Sequence, residues 1–170
     1  MSYHDQLTDN QVRLIESCRL FFVASSDPSF ERGPHGIGPV NVSPKGGLKL
    51  YVLGKNRVAY LDFGGSGDET ARHTAADGPV TVMVCSFEEH EAAIVRLYGT
   101  ARTVPARESE LASQLLDEIG GPPLMRVRQV IEIEIYRTQT SCGYGVPVME
   151  FVRDREKADR GKTYWENKNE

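Results

Sequence analysis

A glycine-rich break near the middle of the chain, within residues Arg57–Thr81, most constrains how this sequence can fold. The apolar run after Arg57 predicts a strand, and Gly64-Gly65-Ser66-Gly67 ends it, because glycine adopts backbone angles that other residues resist. Ser66 or Asp68 is then a candidate N-cap for a helix that Gly78-Pro79 closes after three turns at most. The region therefore predicts a strand, a loop, a short helix and the start of another strand.

A glycine-rich loop before a helix presents free backbone N–H groups, which suit an anion such as a phosphate. The same glycines would serve a tight turn without a ligand, so both interpretations stay open on this stretch alone. No segment has the glycine, lysine and hydroxyl spacing of a Walker loop. Gly65-Ser66-Gly67 begins a dinucleotide-binding pattern, but Thr70 stands at its third glycine position, so that pattern indicates a Rossmann site only weakly.

The order of predicted elements favours a mainly β, antiparallel fold. Thr8-Asp9-Asn10-Gln11 is a capping-box pattern that begins a first helix. Two long strands, Val80–Phe87 and Ala92–Val104, are joined by an acidic turn, and Val127–Tyr136 alternates apolar and polar residues. A doubly wound α/β fold would alternate strands and helices throughout, and this chain does so only once. We therefore expect a small antiparallel barrel with peripheral helices.

A turn at Lys45-Gly46-Gly47 predicts a hairpin between Val40–Ser43 and Leu48–Leu53. Asn41 and Ser43 should point to the same side of the first strand. An amide, a hydroxyl and the Lys45 cation would then lie close together, which favours a ligand site. A solvated hairpin end with a surface lysine is the alternative.

Composition argues against nucleic-acid and membrane partners and indicates where the folded domain ends. The chain has 170 residues and a net charge of -4, which argues against a nucleic-acid partner. It contains no long apolar run and its first residues lack a signal-peptide pattern, so we expect a cytoplasmic protein without a membrane partner. We expect one domain over residues 1–152 and a charged tail over residues 153–170.

The three cysteines predict neither a metal site nor a disulfide framework, because no two of them form a CxxC pair. Cys18 and Cys85 lie in apolar segments and should pack in the core. Cys142 lies in a turn-rich loop of small and polar residues, and we expect its thiol to be accessible and to line a cleft.

Four ordered motifs carry a resemblance to a known family. They are VNVSPKG (Val40–Gly46), YLDFGGSGDETARH (Tyr60–His73), RLYGTAR (Arg96–Arg102) and SCGYGVP (Ser141–Pro147). Together they resemble the pyridoxamine 5'-phosphate oxidase-like family of flavin-binding split barrels, over roughly residues 10–152. The resemblance implies a six-stranded antiparallel split β-barrel of the FMN-binding type, which forms a homodimer with FMN in a cleft between subunits.

The resemblance also implies a set of site residues. Those along the cofactor would be Asn41, Ser43 and Lys45, with Ser66, Gly67, Glu69 and Thr70 at its phosphate and ribityl chain. Those on the substrate side would be Ser141, Cys142, Gly143 and Tyr144. No metal ligand is implied.

One segment departs from the family pattern. Where the oxidase that gives the family its name has a Ser-Arg-Lys run at the start of the short helix, this chain has Asp68-Glu69-Thr70. Because a carboxylate repels a phosphate, the neutralising charge must come from backbone N–H groups, Lys45, Arg72 or another arginine.

The implied function is an FMN-dependent oxidoreductase with a small-molecule substrate. In such an enzyme the cofactor carries the electron chemistry, so no acid/base pair of side chains is required, and none is evident in the sequence. The alternative is a non-catalytic flavin- or haem-binding protein on the same fold. A deazaflavin is a further alternative cofactor.

Overall fold

The computed structural model of this protein describes residues 1–64, 67–118 and 127–155. Within these residues the chain forms three α-helices and eight strands. The helices are α1 (Asp9–Ser17), α2 (Glu69–Ala75) and α3 (Glu110–Glu118). The strands are β1 (Ser2–His4), β2 (Leu20–Ser26), β3 (Val40–Gly46), β4 (Tyr51–Gly54), β5 (Arg57–Phe63), β6 (Pro79–Cys85), β7 (Ala93–Pro105) and β8 (Val127–Cys142).

All eight strands belong to one antiparallel sheet. Its order is β3-β2-β6-β7-β8-β5-β4, and β1 pairs with the far end of β8. The predicted mainly β, antiparallel fold is therefore confirmed, but the expected six-stranded barrel is wrong in its strand count. The sheet is also not closed, because the end strands β3 and β4 do not pair with each other in the described residues.

The sheet nevertheless curls. Only Gly47–Leu50 lies between the end of β3 and the start of β4, so the two edge strands approach each other within the reach of a few residues. The predicted hairpin between these segments is wrong, because β3 pairs with β2 and β4 pairs with β5. A glycine turn cannot distinguish a hairpin from a link between two sheet edges.

One strand that the sequence does not predict is β1, and its pairing depends on how far β8 extends. The residues that face the core are Ile131, Ile133 and Ile135 up to a register shift opposite Tyr98 and Gly99, and Thr138 is the next fully buried residue. The shift changes the parity of the pattern, so the predicted strand ended at Tyr136 while β8 continues to Cys142. That extension also pairs with β1, which has three residues and carries no periodic signal.

The interior consists of two apolar clusters on opposite faces of the sheet. The larger one includes Phe21, Val82, Leu97 and Ile133, with Leu14 and Ile15 of α1 packed against it. The smaller one packs residues of α3 against β5 and β8, among them Ala112, Leu115, Leu61 and Val130. Packing on both faces of the sheet thus buries β5 and the first half of β8 between the two clusters.

The predicted capping box of α1 is confirmed. The Gln11 backbone N–H donates to Thr8 Oγ1 at 3.3 Å, and the Thr8 N–H donates to Gln11 Oε1 at 3.0 Å. The same Gln11 amide donates to Thr140 Oγ1 at 2.9 Å, which ties the helix to the end of β8. None of the helices in the described part of the chain is long and apolar enough to cross a membrane.

Candidate functional site

A cavity of about 250 Å³ lies where β3, β5, the start of α2 and the start of β8 meet. It brings together five of the residues predicted for the cofactor site: Ser43, Lys45, Gly67, Glu69 and Thr70. These residues come from two segments far apart in the sequence. Their convergence on one cavity is what a shared binding role requires.

Strand alternation positions the β3 side chains. Asn41, Ser43 and Lys45 are half-buried, whereas the alternating residues Val40 and Val42 are 59% and 64% exposed. The Asn41 amide donates to Thr70 Oγ1 at 3.3 Å, so it joins β3 to the first turn of α2 beside the cavity. The strand therefore presents a polar side to the cavity and an apolar side to solvent.

The start of α2 contains the two acidic residues that depart from the family pattern. Asp68 occupies the N-cap position, but its carboxylate accepts no capping hydrogen bond from the backbone. It accepts a hydrogen bond from Arg72 Nε at 3.2 Å instead. A Cβ atom on Gly33 would lie 2.9 Å from the Arg72 guanidinium, which places that guanidinium against the loop before β3. Arg72 is thus already engaged, and Ser66 lies outside the described residues.

A buried carboxylate, Asp62, organises the wall of the cavity. It accepts hydrogen bonds from Arg128 Nε at 3.1 Å, from Arg128 Nη2 at 2.6 Å and from Gln129 Nε2 at 2.7 Å. Lys45 Nζ approaches its other oxygen to 4.0 Å. Two cations therefore lie beside one carboxylate that is only 12% exposed, and two hydrogen bonds from the Arg128 guanidinium hold that arginine at the cavity.

Sequence reasoning missed Asp62 and Arg128 as site residues. Arg128 Nη2 also donates to the carbonyl of Gly67 at 2.8 Å, so its side chain bridges β8 to the glycine loop. The pairing that places Asp62 opposite Gln129 across β5 and β8 brings the arginine there. An arginine at the start of an alternating strand is a weak signal, and only the strand register makes it informative.

Tyr60 forms the floor of this cavity beneath Lys45. Its side chain is buried, and the Lys45 ammonium lies 5.8 Å from the centre of its ring. Burial and, secondarily, the nearby Asp62 carboxylate raise the pKa of the Tyr60 hydroxyl above its usual range. The phenol therefore stays neutral at physiological pH and offers a ring face and a hydroxyl rather than a base.

The predicted substrate-side residues lie elsewhere in the same chain. Ser141 and Cys142 end β8, and Gly143 and Tyr144 follow. Residues 131 and 141 of this strand are separated by about 33 Å if the strand is extended. The Arg96 guanidinium donates to Ser141 Oγ at 3.1 Å, and Tyr144 is 90% exposed. One chain alone does not bring this segment to the cavity.

Comparison with known proteins assigns the chain to a family. Residues 7–142 match the family profile described as pyridoxamine 5'-phosphate oxidase. The chain belongs to the pyridoxamine 5'-phosphate oxidase family. This confirms the resemblance drawn from the four sequence motifs.

A family relative of known source supports the assignment. The chain is 36% identical over 156 residues to the pyridoxamine 5'-phosphate oxidase family protein ustO of Aspergillus flavus. The match covers 91% of this chain but 59% of the relative. The chain thus spans well under two thirds of the length of that protein.

Two solved structures share the fold of this family member. HupZ of Group A Streptococcus superimposes with a TM-score of 0.55 at 16% identity, covering 78% of this chain and 92% of that one. An FMN-binding protein from Syntrophomonas wolfei gives a TM-score of 0.53 at 14% identity, covering 82% and 84%. At these identities the likeness extends to the fold alone.

The exposure of Cys142 and the burial of Cys85 in this family member are as predicted, whereas Cys18 is buried only in part. Cys142 is exposed, Cys18 is half-buried and Cys85 is buried. Burial, with additional negative charge from Cys85, Glu91 and Glu88, raises the pKa of the Cys18 thiol to about 11. Burial also raises the pKa of Cys85. Both thiols are therefore unreactive near neutral pH.

A second cavity, of about 350 Å³, lies on another part of the sheet. Its wall includes Arg57, Thr100, Arg102, Glu132 and Glu134, none of which was predicted as a site residue. No group of three or more histidine, cysteine, aspartate or glutamate side chains arranged to hold a metal is found in the part of the chain that the structure describes.

Proposed function

We propose that this protein binds FMN in the cavity around Asp62 and acts as a flavin-dependent oxidoreductase on a small molecule. Family membership supports the proposal, as does the FMN-binding protein from Syntrophomonas wolfei that shares the fold. The observation that carries it is the convergence on one cavity of residues from the family's two cofactor motifs, VNVSPKG and YLDFGGSGDETARH.

The donor set of the cavity fits a flavin. Hydroxyls of Ser43 and Thr70 and the cations of Lys45 and Arg128 can bind the oxygens of a phosphate or of a ribityl chain. The isoalloxazine ring supplies the electron transfer when bound, and the role of the protein is to position it and to set the local charge. Tyr60 and Phe63 provide aromatic surface in the same wall.

The size of the cavity favours a dimer. Its volume of about 250 Å³ lies below the roughly 300–1,000 Å³ of most small-molecule sites. One chain therefore encloses only part of a flavin, and we infer that a second copy completes the enclosure. The resulting homodimer is also the assembly that the family resemblance implies.

We infer that the exposed face of β3 contributes to that dimer. Val40 and Val42 are exposed on the strand whose other side lines the cavity. A copy packed on these valines would lie beside the bound flavin. We propose that its Ser141–Tyr144 segment, remote from the cavity within one chain, supplies the substrate side of the partner's site.

Light scattering tests the dimer directly. We expect twice the 18.9 kDa chain mass, and we expect Val42→Glu to shift the mass toward that of one chain because it buries a charge in the interface. The matched control is Val152→Glu, at a residue that is 85% exposed after the last strand. A parent protein that is monomeric with FMN bound would contradict the dimer.

The visible spectrum of purified protein tests the catalytic function. We expect the bands of an oxidised flavin, their loss when a nicotinamide donor is added without oxygen, and their return in air. A flavin spectrum that no donor bleaches would favour a non-catalytic flavin-binding protein. A haem spectrum would replace the flavin proposal altogether.

We also propose a cytoplasmic location. The three cysteines are unpaired in the structure, which agrees with a reducing compartment. Fractionation of the producing cells is the test, and recovery in an exported fraction would contradict it.

A further inference from the structure

The cavity around Asp62 contains both cations and carboxylates, and not every carboxylate is paired with a cation. Lys45 and Arg128 face three carboxylates in the cavity wall: Asp62, Asp68 and Glu69. Asp62 is paired with Arg128 at 2.6 Å, and Asp68 with Arg72 at 3.2 Å. For Glu69 no cation lies within ion-pair distance in the described residues.

Arg128 has an N–H donor group to spare. Its Nε and Nη2 atoms bond to Asp62, and Nη2 also bonds to Gly67. No hydrogen bond from Nη1 to another described residue is found. A guanidinium has five N–H donors in a fixed fork, and this one is held beside the glycine loop and 31% exposed. It is therefore preorganised to accept an additional anion.

Glu69 also lies close to Gly67 and would repel such an anion. It is the first residue of α2, half-buried, and its Oε2 would lie 3.2 Å from a Cβ atom on Gly67. An anion at Gly67 would thus contact Arg128 and be repelled by Glu69 at short range.

We propose, as an inference that rests on the proposed function, that Arg128 and Glu69 together determine how strongly this cavity prefers a phosphorylated flavin over an unphosphorylated one. Arg128 supplies the positive charge that the Ser-Arg-Lys run at the start of the short helix would supply in the family pattern. Glu69 reduces the affinity for the phosphate by repelling it. The selected chemical feature is the anionic phosphate at the end of the ribityl chain, which distinguishes FMN from riboflavin.

The test is a pair of fluorescence titrations, one with FMN and one with riboflavin, on the purified full chain. For Arg128→Gln we expect FMN affinity to fall by about ten-fold or more, as for loss of a charge-assisted hydrogen bond, with riboflavin affinity nearly unchanged. The control is Arg137→Gln, on the same strand, whose arginine pairs with Asp5 away from the cavity. Equal losses for both flavins would overturn the role of Arg128 in reading the phosphate.

A second variant keeps the inference testable if Arg128→Gln fails to fold. For Glu69→Gln we expect FMN affinity to rise by about three-fold or more, again without change for riboflavin. Glu110→Gln, at the first residue of α3, is the matched control for removing a charge from a helix N-terminus. Unchanged FMN affinity in Glu69→Gln would overturn the inference. A parent chain that binds neither flavin would contradict the proposed function itself.

Discussion

Two cavities in this protein each contain an arginine paired with a buried carboxylate across neighbouring strands, yet their surroundings differ. Around Asp62, Arg128 is 31% exposed and is joined by Lys45 and Gln129. Around Glu132, Arg102 is 71% exposed and is the only cation within ion-pair distance in the described residues. The first pair is a fixed cluster, whereas the second is an arginine that largely remains in water.

The larger cavity has a structural explanation of its own. It lies at the register shift where Gly99 approaches the carbonyl of Glu134 so closely that a Cβ atom would be 2.2 Å from it. A bulge between two long strands leaves space beside it without any ligand. Cavity volume therefore does not favour the larger cavity as a ligand site, and the proposed site rests instead on the convergent donors beside the glycine loop.

The largest expected difference between the two regions is in stability. Asp62→Asn should lower the free energy of unfolding by on the order of 3 kcal/mol, because Arg128 and Lys45 lose a shared, nearly buried partner. Glu132→Gln should cost under about 1 kcal/mol, since water can solvate the exposed Arg102. Urea unfolding of both variants measures this. Equal losses would mean that the two pairs are equivalent.

A smaller difference is expected in cofactor affinity between two lysines that each lie over a tyrosine ring. Lys45→Ala should weaken FMN binding by about 1 to 3 kcal/mol, with little change in the thermal stability of the cofactor-free protein. Lys49 lies 5.5 Å from the centre of the Tyr51 ring, outside the cavity, so Lys49→Ala should leave FMN affinity unchanged. Titration of FMN decides, and equal affinity in Lys45→Ala and the parent would return Lys45 to the role of a surface lysine.

The smallest effects concern thiol accessibility. An alkylating reagent at pH 8 should label Cys142 first, and added FMN should slow that labelling if the segment lies over a partner's flavin. Cys18 should react only as the pH rises toward its pKa of about 11, because its thiolate fraction increases with pH up to that value. Mass spectrometry of the labelled peptides measures all three cysteines. Labelling of Cys142 that saturating FMN does not affect would remove it from the site.

The sequence predicts local structure well where the signal is local. Thr8 and Gln11 specify the start of α1 through their own side chains, and the long strands β6 and β7 follow from their composition and the acidic turn between them. The sequence does not predict the end of β8, because the register shift opposite Gly99 changes which residues face inward. The hairpin at Lys45 was wrong because strand pairing depends on the whole sheet.

The residues of the candidate site also fall into those that local sequence patterns predict and those that depend on strand pairing. Asn41, Ser43 and Lys45 could be predicted from alternation and motif, and Thr70 from its place after the glycine loop. Asp62 and Arg128 could not, because their roles depend on the register between β5 and β8, which no local pattern encodes. The role proposed for the Ser141–Tyr144 segment requires a second copy of the chain, so that role stays a prediction.

The most direct test of the central claim is to block each cavity and titrate FMN. Ser43→Trp places a large side chain from β3 into the cavity around Asp62, and Thr100→Trp does the same at the cavity around Glu132, from an exposed position. We expect Ser43→Trp to abolish the quenching of FMN fluorescence on binding and Thr100→Trp to retain it. Retained binding in Ser43→Trp, with loss in Thr100→Trp, would contradict the assignment of the site.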